Sequence, residues 1–244
     1  MELIIAETYE DLSRQSAEDV VQLMRGRTQP LICVASGDTP AGVYKVIVDK
    51  VKKGKEDISD WSFVGLDEWV GMNADDEGSC RYHLNEQLFH PLEVAEHSIN
   101  FFDGKAIDLN KECTAVNNLI KKKGGIDVAI LGLGMNGHIG MNEPGTSAAL
   151  RSHVTALDPV TQKVGQKYFK KQQSLKEGIT LGVTSLLESR HIILLVSGAH
   201  KAEIVRKLLQ EEISEQLPGS LLLKHPSLKI YLDKDAAKKI QSKS

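Results

Sequence analysis

The sequence has few cysteines and no apolar run long enough to cross a bilayer. Its 244 residues include only three cysteines, Cys33, Cys80 and Cys113, which are widely spaced. This spacing predicts neither a zinc site nor a redox-active dithiol. The apolar runs have the length of strands, well short of the ~20 residues that a membrane-spanning helix needs. We therefore expect no cysteine-based metal site and no membrane partner.

A basic excess is also absent. The chain carries 30 basic and 33 acidic residues, which gives a formal net charge of -3 at pH 7. Binding to a nucleic-acid backbone or to an anionic membrane is therefore unfavoured. The first residues show neither a cationic start nor a long apolar stretch, so we expect no signal peptide and a cytoplasmic protein. A hydrophobic content of 41% excludes a disordered chain.

Strand-like and helix-like segments alternate along the chain. Continuous apolar runs of strand length lie at residues 3–6, 31–35, 63–66, 128–131 and 192–196. Apolar residues recur at helical spacing in segments 17–24, 43–51 and 202–209. Strands that are apolar on both faces and separated by helices predict a mostly parallel sheet covered on both sides. We therefore predict one α/β domain, residues 1–244, with a three-layer Rossmann-like fold in which helices flank a mostly parallel central sheet.

The first informative turn follows the strand at residues 31–35, since ligands of such sheets bind outside the carboxyl ends of the strands. It reads Ser36-Gly37-Asp38-Thr39-Pro40. Gly37 allows a tight turn, Thr39 can cap a helix and Pro40 suits the first helical position. Backbone N–H groups that open a helix bind anions such as phosphate, although an ordinary capped helix start explains the same residues equally well. Asp38 would repel a phosphate unless its side chain points away.

Two adjacent acids, Asp67 and Glu68, follow the strand at residues 63–66. Neighbouring residues at a strand end point to opposite sides, so one carboxylate can enter a cleft while the other is solvated or paired. Partial desolvation raises the pKa of a carboxyl group towards neutral pH, which suits a general base. A helix-capping role for the aspartate is equally open at this point.

The segment GLGMNG follows the strand at residues 128–131 and has the glycine spacing of a dinucleotide-binding fingerprint. That fingerprint must open a long helix, but two further glycines and a proline follow closely, so we reject a dinucleotide site. The turn instead directs Asn136, His138 and Glu143 into a cleft, where the carboxylate can orient the imidazole and the imidazole can move a proton. A zinc site at His138 and Glu143 lacks a third ligand, so we predict no metal.

The last informative turn, Ser197 to Lys201, follows the strand at residues 192–196 and leads into a helix. Lys201 lies in the first turn of that helix, where a cation opposes the helix macrodipole. It is therefore better explained as a ligand for an anion than as a stabiliser of the helix. His200 is expected on the surface, without a role in the site.

Four segments taken together resemble one known family. They are GLGMNGHIGMNEPGTS, LDEWVG, SGDTP and SGAHKA. The first of these is long enough to have almost no accidental matches, and the match extends in order over nearly the whole chain. The sequence therefore resembles the glucosamine-6-phosphate deaminase (isomerase) family.

The resemblance implies conversion of an amino-sugar phosphate to a ketose phosphate with release of ammonia, without a metal or an organic cofactor. It implies that Asp67 moves a proton between C2 and C1 of the opened sugar. It also implies that His138 opens the pyranose ring with the help of Asn136 and Glu143, beneath a mobile lid at about residues 162–176. The implied phosphate-binding residues are Ser36, Gly37, Asp38, Thr39, Lys167 and Lys201.

Three residues depart from the family pattern. Asn136 stands where many members carry Asp, so the relay to His138 loses a charge, although an amide can still orient the ring. Lys167 stands where the family often has an arginine, which would bind phosphate through two hydrogen bonds. Asp38 stands where small residues are usual, which bears on the phosphate loop or on the sugar preference.

Alternative functions stay open at this stage. Galactosamine 6-phosphate is the nearest alternative substrate, because close relatives differ in the C4 epimer they accept. None of the four turns indicates which C4 epimer would bind. A 6-phosphogluconolactonase shares the fold, but members of that family have Asp-Glu-Arg after the third strand, and here Trp69 replaces the arginine. Their histidine motif is also not followed by Asn-Glu-Pro, which in this chain ends at Pro144. A sugar-phosphate sensor would need a helix-turn-helix segment, which we do not expect. Both monomers and homo-oligomers occur in the family, and the sequence selects neither.

Overall fold

The structure is a computed structural model that describes residues 1–240. Ten strands within that range form two sheets. The strands are β1 (Glu2–Ala6), β2 (Leu31–Val34), β3 (Ser62–Gly65), β4 (Asp67–Trp69), β5 (Ile99–Asn100), β6 (Val128–Gly132), β7 (His153–Ala156), β8 (Glu177–Thr180), β9 (His191–Val196) and β10 (Leu228–Asp233).

The same residues contain nine α-helices, and none of these is both long and apolar enough to span a membrane. A π-helical turn continues the third helix, and a 3-10 turn follows the fifth and precedes the seventh. The helices are α1 (Tyr9–Met24), α2 (Asp38–Lys52), α3 (Cys80–Leu84), α4 (Leu109–Lys122), α5 (Pro159–Gly165), α6 (Val183–Leu187), α7 (Ala202–Gln210), α8 (Pro218–Leu221) and α9 (Lys234–Ala237).

The central sheet has seven strands in the order β1-β10-β9-β6-β2-β3-β5, and every neighbouring pair is parallel. The predicted strands at residues 31–35, 63–66, 128–131 and 192–196 correspond to β2, β3, β6 and β9. All four are almost entirely buried, as strands covered on both faces must be. The predicted α/β class with a mostly parallel sheet is confirmed.

Helices cover both faces of this sheet and so make three layers. Successive residues of a strand point to opposite faces. In β2, Ile32 belongs to the core that contains residues of α1 and α2, whereas Cys33 belongs to the core that contains residues of α4 and α7. In α1, the predicted apolar positions Ala17, Val20 and Met24 are all buried against the sheet. Each large apolar side chain buried in this way stabilises the fold by roughly 1.5–3 kcal/mol.

A second, smaller sheet was not predicted. Strands β4, β8 and β7 pair antiparallel in that order, and Asp67 of β4 lies opposite Thr180 of β8. Asp67 therefore lies on a strand, not in a free turn. The sequence Asp-Glu-Trp shows no apolar alternation, so this strand arises from pairing with β8 and not from a local pattern.

Candidate active site

A cleft of about 500 Å³ opens at the carboxyl ends of the central strands, beside the small sheet. This is where parallel sheets bind ligands. Two predicted site residues, Asn136 and Glu143, do not line the cleft but lie behind His138. The predicted residues that line it are Ser36, Gly37, Asp38, Thr39, Asp67, His138, Lys167 and Lys201.

The loop predicted to bind phosphate, residues 36–39, joins β2 to α2. Gly37 is the N-cap of α2 and has a φ of 126°, a conformation that favours glycine. The helix begins at Asp38, and no side chain caps it. The prediction that Thr39 caps this helix is therefore wrong, and Pro40 occupies the third helical position. The Thr39 hydroxyl instead faces the Ser197 hydroxyl across the cleft, 3.5 Å away.

Two lysines supply positive charge beside this loop. The Lys201 ammonium donates a hydrogen bond to the Leu133 carbonyl oxygen at 2.5 Å. Burial, together with the charge of Lys167, lowers the pKa of Lys201 from 10.5 to about 8, although the Asp38 carboxylate opposes the shift. The Lys167 ammonium donates to the Asp38 carboxylate at 2.5 Å. The Asp38 carboxylate is therefore paired with a cation. This pairing offsets the repulsion that an unpaired Asp38 would exert on a phosphate.

Asp67 provides a buried carboxyl group in the cleft. Its side chain lies at the start of β4 and the residue is only 8% exposed. Burial raises its pKa from 3.8 to about 6, even though a hydrogen bond from the Cys80 thiol and the charge of His138 act in the opposite direction. A carboxyl group with this pKa is ionised at neutral pH and can still take and return a proton.

Glu68 points away from the cleft, as expected for the neighbour of Asp67 on a strand. Its carboxylate accepts hydrogen bonds from the backbone N–H groups of Trp69, Cys80 and Arg81 at 2.8–2.9 Å. The last two N–H groups begin α3, so Glu68, and not Asp67, binds the start of this helix, whose N-cap is Ser79. Burial raises the pKa of Glu68 to about 7 despite these donors.

His138 is held by Asn136 and Glu143. The Asn136 carbonyl oxygen accepts from the His138 backbone N–H at 3.2 Å, and its amide donates to the Glu143 carboxylate at 2.9 Å. The same carboxylate oxygen lies 3.5 Å from Nδ1 of His138. Although burial acts in the opposite direction, contacts with His138, Thr161 and Asn136 hold the pKa of Glu143 below its usual value. The expectation that all three side chains enter the cleft is wrong: only His138 does, and the other two orient it.

The glycine-rich turn supports this arrangement. The His138 ring lies against Gly134 so closely that a Cβ there would be 2.4 Å from three ring atoms. In the described chain no helix lies between β6 and β7. The long helix that a dinucleotide-binding turn opens therefore does not follow this turn in the described residues.

Sequence reasoning missed several residues of the cleft. The hydroxyl of Thr161, on α5, lies 3.0 Å from Nδ1 of His138. Cys80 and Tyr168 also line the cleft, and His200 does so although it is exposed as expected. Thr161, Cys80 and Tyr168 are brought in by elements other than the four turns, so no local motif marked them, whereas His200 lies in the last of those turns.

The class of protein follows from comparison with known families. Residues 5–231 match the family described as "Glucosamine-6-phosphate isomerases/6-phosphogluconolactonase". This match covers most of the chain, and the chain therefore belongs to that family.

Particular relatives are more closely similar. A protein of Clostridium tetani named glucosamine-6-phosphate deaminase is 37% identical over 239 residues, covering 98% of this chain and 99% of the relative. Glucosamine-6-phosphate deaminase 1 of Bacillus subtilis is 35% identical over 238 residues, covering 97% of this chain and 98% of the relative.

Solved structures agree with this placement. The structure of a monomeric glucosamine-6-phosphate deaminase matches with a TM-score of 0.94 and 34% identity, covering 98% of this chain and all of that one. A 6-phosphogluconolactonase from Trypanosoma brucei matches with a TM-score of 0.78 but only 19% identity, covering 98% of each chain. The second likeness establishes the shared fold alone.

Proposed function

We propose that the protein is an enzyme that converts glucosamine 6-phosphate to fructose 6-phosphate and ammonia. The observation that carries the proposal is the pair of groups in one cleft, the buried base Asp67 and the imidazole of His138 backed by Glu143. Their chemistry matches what the relatives named glucosamine-6-phosphate deaminase must perform.

Each step of this reaction has a group to perform it. The loop from Ser36 to Thr39, with Lys167 and Lys201, binds the phosphate and so fixes the sugar in the cleft. His138 takes the proton of the anomeric hydroxyl and gives one to the ring oxygen, which opens the ring. Asp67 then removes the proton from C2 and returns it to C1. The resulting C2 imine reacts with water and releases ammonia, and no step calls for a metal or organic cofactor.

The wider setting is part of the same proposal. We place one catalytic domain at residues 1–244, acting in the cytoplasm on a small amino-sugar phosphate as a monomer or a homo-oligomer. The net charge of -3 supports the absence of a nucleic-acid partner. The monomeric relative shows that a closely similar chain can be active without partner subunits.

The direct test is ammonia release by the purified protein from glucosamine 6-phosphate and, in parallel, from galactosamine 6-phosphate. We expect turnover of the glucosamine compound, with the other epimer slower. A faster rate with the galactosamine compound would reassign the substrate. Absence of ammonia from both would overturn the deaminase proposal.

Substitution of the base tests its role. We expect Asp67→Asn to lower kcat by about 10²–10⁴-fold, because general base catalysis contributes that much. Binding of the sugar phosphate, measured by calorimetry, should survive because the phosphate loop is unchanged. An unchanged rate would remove Asp67 from the mechanism.

Protein stability provides the control for this variant. The pKa of Asp67 is raised from 3.8 to about 6, and each unit corresponds to about 1.4 kcal/mol. The buried charge therefore lowers stability by about 3 kcal/mol above pH 6, and the penalty vanishes as the pH falls below about 4. Asp67→Asn should be more stable than wild type in urea at pH 7.5, with a smaller gain at pH 5. A variant that is inactive and less stable at pH 7.5 would instead indicate misfolding.

A further inference from the structure

Thr161 lies between the two groups of the proton relay. Its hydroxyl oxygen is 3.0 Å from Nδ1 of His138, whereas the direct distance from Nδ1 to the Glu143 carboxylate is 3.5 Å. The hydroxyl is also among the neighbouring groups that lower the pKa of Glu143. Thr161 is only 6% exposed, so water does not compete for these contacts. The neighbour closest to Nδ1 of these two is therefore the hydroxyl group and not the carboxylate.

This arrangement determines which nitrogen of His138 carries the proton. A threonine hydroxyl can accept one hydrogen bond and donate another. Because the Glu143 carboxylate only accepts, the hydroxyl proton points to Glu143, and the hydroxyl oxygen then accepts from Nδ1–H of His138. The neutral ring consequently has its lone pair on Nε2. A general base needs that lone pair in order to take a proton from the substrate.

We propose that Thr161 is a positioning residue for the ring-opening step: its hydroxyl fixes the Nδ1–H tautomer of His138 and links the ring to Glu143. The role in turnover rests on the proposed deaminase function. The tautomer itself does not, because it belongs to the protein without substrate.

Helix α5 brings this hydroxyl to the relay, and the chain that follows reaches the phosphate loop. Asp158 caps α5 by accepting from the Val160 N–H at 2.7 Å. The 3-10 turn that follows α5 carries Lys167, which contacts Asp38 on the opposite side of the cleft. The segment that covers the cleft thus contacts the relay at one end and the phosphate loop at the other.

Three variants test the role in turnover. Thr161→Val keeps the shape and removes the hydroxyl, and we expect kcat to fall about tenfold, the effect of one hydrogen bond in a charged network, with KM changed less than about twofold. Thr161→Ser should restore kcat to within about threefold of wild type. Thr114→Val is the matched control, because Thr114 is an exposed helical threonine of α4 outside the cleft. Full kcat in Thr161→Val, or no recovery in Thr161→Ser, would overturn the proposal.

Nitrogen-15 NMR of the histidine rings, without substrate, tests the tautomer separately. The His138 signals are identified by their loss in His138→Asn. We expect Nδ1–H to predominate in wild type and in Thr161→Ser, and both tautomers to be populated in Thr161→Val. The same tautomer in all three proteins would show that Glu143 suffices and would overturn the role of Thr161. If wild type releases no ammonia, the deaminase proposal fails while this measurement still decides the tautomer question.

Discussion

At the scale of single residues, two departures from the family pattern meet each other in the cleft. Asp38 stands where small residues are usual and Lys167 where an arginine is frequent, and their side chains form an ion pair. The pair lies close enough to Lys201 to alter its pKa. The Asp38 carboxylate balances the charge of Lys167. In the proposed function the two residues would therefore act together on phosphate affinity.

Removal of the Asp38 charge should strengthen substrate binding. We expect Asp38→Ser to lower KM for the sugar phosphate about fivefold with kcat unchanged, since one partly solvated charge contributes about 1 kcal/mol. Steady-state ammonia release at low ionic strength measures both constants. Asp49→Ser makes the same change of net charge on the exposed side of α2 and should leave KM unaltered. A higher KM in Asp38→Ser would mean that Asp38 orients Lys167 for the phosphate.

At the scale of elements, α1 supports the start of α2. The Tyr9 hydroxyl of α1 donates to the Asp38 carbonyl oxygen at 2.7 Å and accepts from the Gly42 N–H at 2.8 Å. A Cβ at Gly42 would lie 2.2 Å from the Ser13 hydroxyl oxygen, so the close approach of the two helices requires glycine. The position of the phosphate loop therefore depends on a helix that does not itself line the cleft.

Loss of this support should affect binding more than chemistry. We expect Tyr9→Phe to remove the hydroxyl partner of three backbone groups of α2, the Asp38 and Thr39 carbonyl oxygens and the Gly42 N–H. The change should lower the free energy of unfolding by about 1–2 kcal/mol and raise KM while kcat stays within twofold. Urea unfolding and steady-state kinetics measure these effects. Tyr82→Phe is the control, because the Tyr82 hydroxyl makes no hydrogen bond to residues 1–240. A fall in kcat alone would contradict this separation.

The elements that the sequence predicted are those with their own apolar pattern. Strand β2 is a continuous apolar run and helix α1 has apolar residues at helical spacing, and these apolar residues are buried in the structure. Strand β4 has no such apolar pattern, because it forms only through its pairing with β8. The same distinction applies to the site: Asp67 and His138 follow predictable strands, whereas Thr161 reaches His138 from a helix whose placement no local pattern specifies. Contacts between distant segments are the part that could not be predicted.

At the scale of the whole molecule, the cleft combines groups from both sheets. His138 and Lys201 follow strands of the central sheet, and Asp67 belongs to the small sheet. In the proposed mechanism Asp67 must be ionised to act as the base, and Lys201 must be protonated to attract a phosphate. Because burial raises one pKa and lowers the other, the two requirements overlap only between about pH 6 and about pH 8.

The pH dependence of turnover should reflect both groups. We expect kcat/KM to rise through about pH 6, where Asp67 loses its proton, and to fall through about pH 8, where Lys201 loses its own. Initial rates of ammonia release from pH 5 to about pH 9.5 would show this profile. Lys201→Arg should remove the alkaline limb, because a guanidinium stays protonated throughout. An alkaline limb that persists in that variant would belong to another group.

The register of β4 against β8 determines which of its two adjacent acids, Asp67 or Glu68, enters the cleft. A slip of one residue against β8 would turn every side chain of β4 to the other side. Glu68 would then bring a longer carboxylate to the substrate, and the shorter Asp67 would face the first N–H groups of α3. The shifted strand would still place a carboxyl group in the cleft. The need for an acid there therefore does little to exclude the shifted register. The start of α3 is the stricter check, because its first two N–H groups, together with the Trp69 N–H of β4, fit a glutamate held in the correct register.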